Sequence, residues 1–279
     1  MPFTQLSSVR LEHFQFGHGP ERVLLIHGFQ ASARIWQRAQ ELLPAERYTT
    51  VAINNRGAGQ SDAPPNDGDY GVEVFANDAF EWTQLHGWRD FTLVGHSLGG
   101  ATVAQFAVDH PELLKGLVLL DPADPDGRNA PEAGIEKFIA ERMEARRRQR
   151  ALGGGGDGID SRSDVTDPVM RALVADIDAA PDQRLRGSLR SMLNVRLGRR
   201  VKDLPMPVLL MGGDADALIP IQSMLTTWAK YPAGTGLHIW HGLGHSPNLD
   251  APAQFVDALR QFIEVTIPAR LRRLSAQAD

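Results

Sequence analysis

The groups in this chain with the chemistry to make and break an acyl bond are a serine set between glycines and a histidine and aspartates far downstream of it. Ser97 lies in Gly95-His96-Ser97-Leu98-Gly99. A serine hydroxyl is a poor nucleophile at neutral pH, so it needs a base within hydrogen-bond reach and a carboxylate that holds the base in one tautomer. His245, in Gly242-Leu243-Gly244-His245-Ser246-Pro247, is the candidate base. Asp216 and its neighbour Asp214, in Gly212-Gly213-Asp214-Ala215-Asp216-Ala217-Leu218-Ile219-Pro220, are candidates for the carboxylate. The chain has no cysteine, which excludes a thiolate nucleophile, thiolate metal sites and disulfides. His241 and His245 are spaced like a metal pair, but Gly242 and Gly244 argue against the helix that would align them and no third ligand is evident, so no metal is expected. His27 and His96 flank the site in sequence and read as packing or hydrogen-bonding residues.

The elements that must position these groups are legible as apolar runs. Phe91 to Val94 reads as a strand directly before the serine, and Leu98 to Asp109 as a helix directly after it, with Leu98, Ala101, Val103 and Phe106 on its apolar face and His110-Pro111 as its stop. A Gly-x-Ser-x-Gly between strand and helix makes a tight turn that throws the serine side chain out above the sheet. It also places the Leu98 backbone N–H at a helix N-terminus, aimed where an oxyanion would form. The second oxyanion donor expected is the Phe29 N–H, in His27-Gly28-Phe29 after the strand Val23 to Ile26.

Further runs at Thr50 to Ile53, Leu117 to Leu120, Val208 to Met211 and Leu237 to Trp240 lack alternation, as strands buried on both faces do. With Phe255 to Ile263 as another helix, the expected fold class is α/β, a mostly parallel central sheet with helices on both faces. The stretch Pro122 to Asp203 breaks this rhythm. It predicts a helix over about Ile135 to Arg150, a second after Thr166-Asp167-Pro168, and a third carrying Leu185, Leu189, Met192 and Leu193. Gly153 to Gly156 reads as a flexible linker, and Arg146-Arg147-Arg148-Gln149-Arg150 as a solvated helix end.

The order Ser, Asp, His, each after a strand, resembles the α/β-hydrolase superfamily from about Val23 to Ile263, with 122–203 standing where that family inserts a helical cap or lid. Asn55-Arg56-Gly57-Ala58-Gly59-Gln60-Ser61-Asp62 is similar to the family's Arg-Gly-x-Gly-x-Ser turn; Asn54 and Asn55 stand where many relatives have an aspartate nearby, a departure that touches loop structure more than chemistry. The resemblance implies a core of 1–121 and 204–279 and a cap of 122–203. It also implies Asp216 as the acid, four residues before Pro220, with Asp121, at a position some members use, and Asp214 as rivals. A serine at the elbow excludes the aspartate-nucleophile members. Cap tyrosines of the epoxide-hydrolase kind are missing too, since Tyr48, Tyr70 and Tyr231 lie outside 122–203.

The implied reaction is acyl transfer in two steps with no cofactor, first on a carboxylic ester or lactone of a small to medium uncharged substrate. Amide or carbon–carbon bond hydrolysis is the alternative, and a non-catalytic ligand receptor the outside one. The cap emerges at the carboxyl ends of the strands, so Phe138, Ile139, Met143, Leu173, Leu189 and Met192 are expected to roof the pocket and Leu218 to border it from the body. One inward-facing arginine would change the charge of that roof.

A formal charge of −5, with 42% apolar and 23% charged residues, fits a globular chain that attracts neither nucleic acid nor an anionic membrane. The stretch 122–203 carries 16 Lys and Arg against 14 Asp and Glu, slightly basic on an acidic body. Met1 to Arg10 shows no leader pattern and no run of apolar residues is long enough to span a bilayer, so a cytoplasmic protein with a small-molecule substrate as its partner is expected.

Overall fold

The computed structural model describes residues 2–151, 166–270 and 272. Strands β1 (Phe3–Gln5), β2 (Arg10–Phe16), β3 (Glu21–Ile26), β4 (Tyr48–Ile53), β5 (Phe91–His96), β6 (Leu114–Leu120), β7 (Val208–Gly213) and β8 (Gly236–Trp240) form one sheet in the order β1-β2-β4-β3-β5-β6-β7-β8. From β3 onward every pairing is parallel, while β2 runs antiparallel to both β1 and β4. Each apolar run predicted as a strand is one. β1 and β2 carry no apolar run: β1 has three residues, and β2 buries polar groups where such a run would stand. Glu12 is fully buried, accepting from Asn54 Nδ2 at 2.6 Å and from the Gln60 N–H at 2.9 Å.

Helices α1 (Gln37–Leu42), α2 (Val72–Leu85) and α3 (Leu98–Asp109) are followed by α4 (Glu132–Ala151), α5 (Pro168–Ala179) and α6 (Asp182–Asn194) between β6 and β7, and by α7 (Ile221–Trp228), α8 (Pro247–Asp250) and α9 (Pro252–Gln261). Successive residues of one strand feed opposite layers. In β3, Leu24 and Ile26 pack with Phe75 and Trp82 of α2 and Ala104 of α3, while Val23 and Leu25 pack with Ala39 of α1 and Phe255 and Leu259 of α9. Both faces are covered, which is why β3 reads as an uninterrupted apolar run.

The helices between β6 and β7 divide their apolar residues. Ile135, Ile139 and Met143 of α4 close on Leu185, Leu189 and Leu193 of α6 in a small core of their own, whereas Met170, Leu173 and Ile177 of α5 join the core beside α1 and α9. Asp167 caps α5, accepting from the Val169 N–H at 2.8 Å. Arg146 departs from the expected solvated helix end. It is 3% exposed and donates through Nη2 to the carbonyls of Ile177 and Ala180, tying α4 to the α5–α6 connection. Arg147 and Arg148 pair with Glu144 at the surface. The run Gly153 to Gly156, read as a linker, lies outside the described residues. No helix among the described residues is long and apolar enough to cross a membrane.

Candidate active site

Ser97 alone makes the turn from β5 to α3, at φ 55° and ψ −116°. A left-handed φ on a residue with a Cβ costs on the order of 1–3 kcal/mol and persists only where the surroundings over-determine it. Here the Ser97 N–H donates to the Leu120 carbonyl at 2.9 Å, and the Ser97 carbonyl accepts from the N–H groups of Gly100 at 2.8 Å and Ala123 at 3.0 Å. Glycine is required on both sides of the turn. A Cβ on Gly95 would stand 2.2 Å from the Gly99 carbonyl oxygen, and one on Gly99 would stand 2.4 Å from that of Ile26.

The loop after β3 presses on this elbow so closely that a Cβ on Gly28 would lie 3.0 Å from the Ser97 Cβ. His27 braces the loop. Burial, aided by the nearby Arg184, pushes its pKa down to about 3, so it is neutral. Its Nδ1–H donates to the Gly28 carbonyl at 2.9 Å and its Nε2 accepts from the Asn55 N–H at 3.1 Å, a tautomer assigned from those partners. The backbone N–H groups of Phe29 and Leu98 have no acceptor among the described residues, and Phe29 lines the same cavity as Ser97.

His245 sits between β8 and α8, and Asp216 in the loop after β7. The two loops are in contact, with Ala215 N–H donating to the Leu243 carbonyl at 3.0 Å. His245 Nδ1 donates to Asp216 Oδ2 at 2.6 Å, and Asp216 Oδ1 accepts from the N–H groups of Leu218 at 2.7 Å and Ile219 at 3.0 Å. Burial works against the charge on Asp216, but the His245 hydrogen bond and these backbone donors outweigh it and hold the pKa below the usual carboxylate value. Asp214 is elsewhere, accepting from His241 Nδ1 at 2.8 Å and the Gly242 N–H at 2.7 Å at the surface. Asp121 is close: it, Asp216 and His245 each present an atom within 4.8 Å of the others.

Ser97 and His245 share a cavity of about 530 Å³. Phe138, Leu189, Met192 and Leu218 line it, as the sequence suggested. Ile139 and Met143 do not. They are 2% and 4% exposed and face α6, because α4 turns the i, i+4 pair Phe138 and Arg142 toward the cavity and the adjacent stripe Ile135, Ile139 and Met143 away from it. Leu173 likewise belongs to the sheet-side core and not to the roof. The roof is not wholly apolar, the change that an inward-facing arginine was expected to bring: Arg142 and Arg128 both line the cavity, the latter with its guanidinium 4.6 Å from the Phe138 ring centre. Asp124 lines it too, tied to Lys230 at 2.5 Å.

Two further contacts hold these loops: that of His96, which the sequence marked only as a packing or hydrogen-bonding residue, and that of Arg184, which had no distinctive sequence signal. His96, within the elbow, is held neutral with a pKa pushed to about 3 by burial and the neighbouring His245, and its Nε2–H donates to the His245 carbonyl at 2.7 Å. Arg184, fully buried on α6, donates to the Ala31 carbonyl at 2.9 Å in the loop that carries Phe29.

Comparison with known proteins bears on the family and the fold. The chain is 29% identical to an uncharacterized protein of Mycobacterium tuberculosis over 94% of its own length and 80% of that protein. It is 27% identical to a pimeloyl-[acyl-carrier protein] methyl ester esterase of Aeromonas hydrophila, covering 89% of this chain and 97% of the relative. Among solved structures, a thermophilic esterase from Thermogutta terrifontis superposes with a TM-score of 0.75 at 23% identity, covering 94% of this chain and 96% of the esterase. A family model of the alpha/beta hydrolase fold matches residues 21–252, most of the length over which the strands, the elbow and the loops carrying Asp216 and His245 are laid out, and the chain belongs to the α/β hydrolase family.

Proposed function

We propose that this hydrolase cleaves carboxylic esters or lactones by acyl transfer, with Ser97 as nucleophile, His245 as general base and Asp216 as the carboxylate that orients it. Ser97 attacks the substrate carbonyl as His245 Nε2 takes its proton, the Phe29 and Leu98 N–H groups receive the oxyanion, and His245 returns the proton to the leaving alcohol. Water repeats the sequence on the acyl-enzyme. The observation that carries this reading is the strained elbow that sets Ser97 into one cavity with a histidine whose far nitrogen is bonded to a buried carboxylate.

In this reading 122–203 is a cap over a body made of 1–121 and 204–279, and the cap faces choose the substrate. A cavity of about 530 Å³ suits a small to medium molecule. Its apolar part packs on Phe138, Leu189 and Met192, and Arg128 and Arg142 extend acceptance from uncharged substrates to those carrying an anionic group away from the scissile bond. Hydrolysis of a simple aryl ester by the wild type, abolished in Ser97→Ala, is the test. Equal turnover by Ser97→Ala would overturn the reading, and a comparison of a neutral diester with its half-ester assigns the charge preference.

A further inference from the structure

Asp121 directly follows β6 with φ 41°, a left-handed backbone on a residue with a Cβ, next to the proposed triad. Its side chain is completely buried, and a Cβ on Gly212 would stand 2.3 Å from Oδ1, so β7 packs directly on the carboxyl. Oδ1 accepts from the Gly213 N–H at 3.1 Å, while Oδ2 has no donor among the described residues. The groups that surround it are Asp216 from the loop after β7, His245 from the loop after β8 and Asp250 from α8, with neutral His96 at the end of β5. The charges acting on Asp121 are both acidic, Asp216 and Asp250.

Two carboxylates this close, away from water, cannot both be ionised. Which one keeps the proton follows from the donors. Asp216 receives Leu218 N–H, Ile219 N–H and His245 Nδ1–H, and these favour its charged form; Asp121 receives Gly213 N–H alone. We propose that Asp121 stays protonated at neutral pH and donates a hydrogen bond to the Asp216 carboxylate, acting as a positioning residue that fixes the acid on which His245 turns. The proton is a property of the carboxyl pair alone, whereas the positioning role rests on the proposed triad. Burial first, and then the charge of Asp216, push the Asp121 pKa up to about 9. A neutral Asp121 satisfies its own buried Oδ2 and keeps a second negative charge away from His245, where it would over-stabilise the imidazolium and slow proton return to the leaving group.

The direct test is infrared difference spectroscopy of wild type against Asp121→Asn at pH 7. The expected result is the C=O stretch of an un-ionised carboxyl in the wild type, absent from the variant and lost from the wild type with a midpoint near pH 9. This reads the proton whether or not the enzyme turns over the ester chosen. For the positioning role, Asp121→Asn supplies a permanent amide donor and should hold kcat at least about tenfold above Asp121→Ala, since only the latter lacks the donor. Melting adds a third readout. The native state keeps a proton that the unfolded chain has released above pH 4, so wild-type stability falls from about pH 4 to 9 and the Tm of Asp121→Asn should gain on it across that range. No un-ionised carboxyl band at pH 7 would overturn the proposal, as would an Asn variant that folds and is no more active than Asp121→Ala. Where Asp121→Asn does not fold, the pH titration of the band in the wild type decides.

Discussion

His245 donates to Asp216 across 2.6 Å in a place closed to solvent, the Asp216 side chain having no exposed surface and that of His245 only 9%. In such a site the hydrogen bond selects the imidazole tautomer with its free nitrogen toward the cavity. Asp216→Asn keeps the shape and removes that selection, and kcat should fall by about 10⁴-fold, as expected for loss of the tautomer-fixing acid. Asp214→Asn, which touches only the exposed His241 and Gly242, should stay within about threefold of wild type. Steady-state kinetics on one ester decides, and the reverse ranking would move the acid to Asp214.

The strain at Ser97 predicts a trade between stability and activity. Ser97→Gly removes the Cβ from a left-handed residue, relieving about 1–3 kcal/mol of strain while giving back about 1 kcal/mol of unfolded-chain entropy. The variant should be inactive yet more stable by about 1 kcal/mol in urea melts. A destabilised Ser97→Gly would mean that the elbow is relaxed, contrary to its φ of 55°.

The two faces of α4 should separate folding from specificity. Phe138→Ala on α4, like Met192→Ala across the cavity on α6, alters a cavity wall and should change the ranking of esters that differ in acyl length. Ile139→Ala and Met143→Ala, buried against α6, should cost about 2–5 kcal/mol each and leave that ranking alone. Thermal melts beside a substrate panel read both, and an unaltered ranking in every variant would make the segment a cover that plays no part in selection.

That prediction marks where sequence reading ends. The parallel strands were legible because burial on both faces leaves apolar runs, and the elbow because only a glycine-flanked serine fits between β5 and α3. Periodicity located α4 and α6 but could not say which stripe meets the cavity: the apolar stripe Ile135, Ile139 and Met143 looks like a pocket wall, while the true lining pairs Phe138 with a charged Arg142. β2 was hidden by its buried Glu12, and Arg184 by its ordinary surroundings in sequence; for His96 the sequence suggested packing or hydrogen bonding but not its partner, the His245 carbonyl, which lies across the fold.

Acid should loosen the hold of α6 on the body. Asp67, in the loop before α2, accepts from Arg186 Nε at 3.0 Å and Nη2 at 2.9 Å, and Arg190 joins it to Glu136 of α4. The Arg186 hydrogen bond, aided by Arg190, holds the Asp67 pKa below the usual value despite some burial. A depressed folded pKa stabilises above the unfolded value and the contribution is lost as pH falls through the folded one, here below about pH 4. Hydrogen exchange in α6 should therefore quicken beyond its intrinsic trend as pH falls below about 4, and in Asp67→Asn already at pH 7. Equal protection of α6 in the variant and the wild type at pH 7 would contradict this link.

The most direct test of the account is covalent. An organophosphonate with an aryl leaving group, incubated with the protein and followed by peptide mass spectrometry, should add once, on Ser97, and the rate of addition should fall in His245→Ala because the serine loses its base. Labelling confined to another serine, or addition at Ser97 as fast in His245→Ala as in wild type, would contradict it.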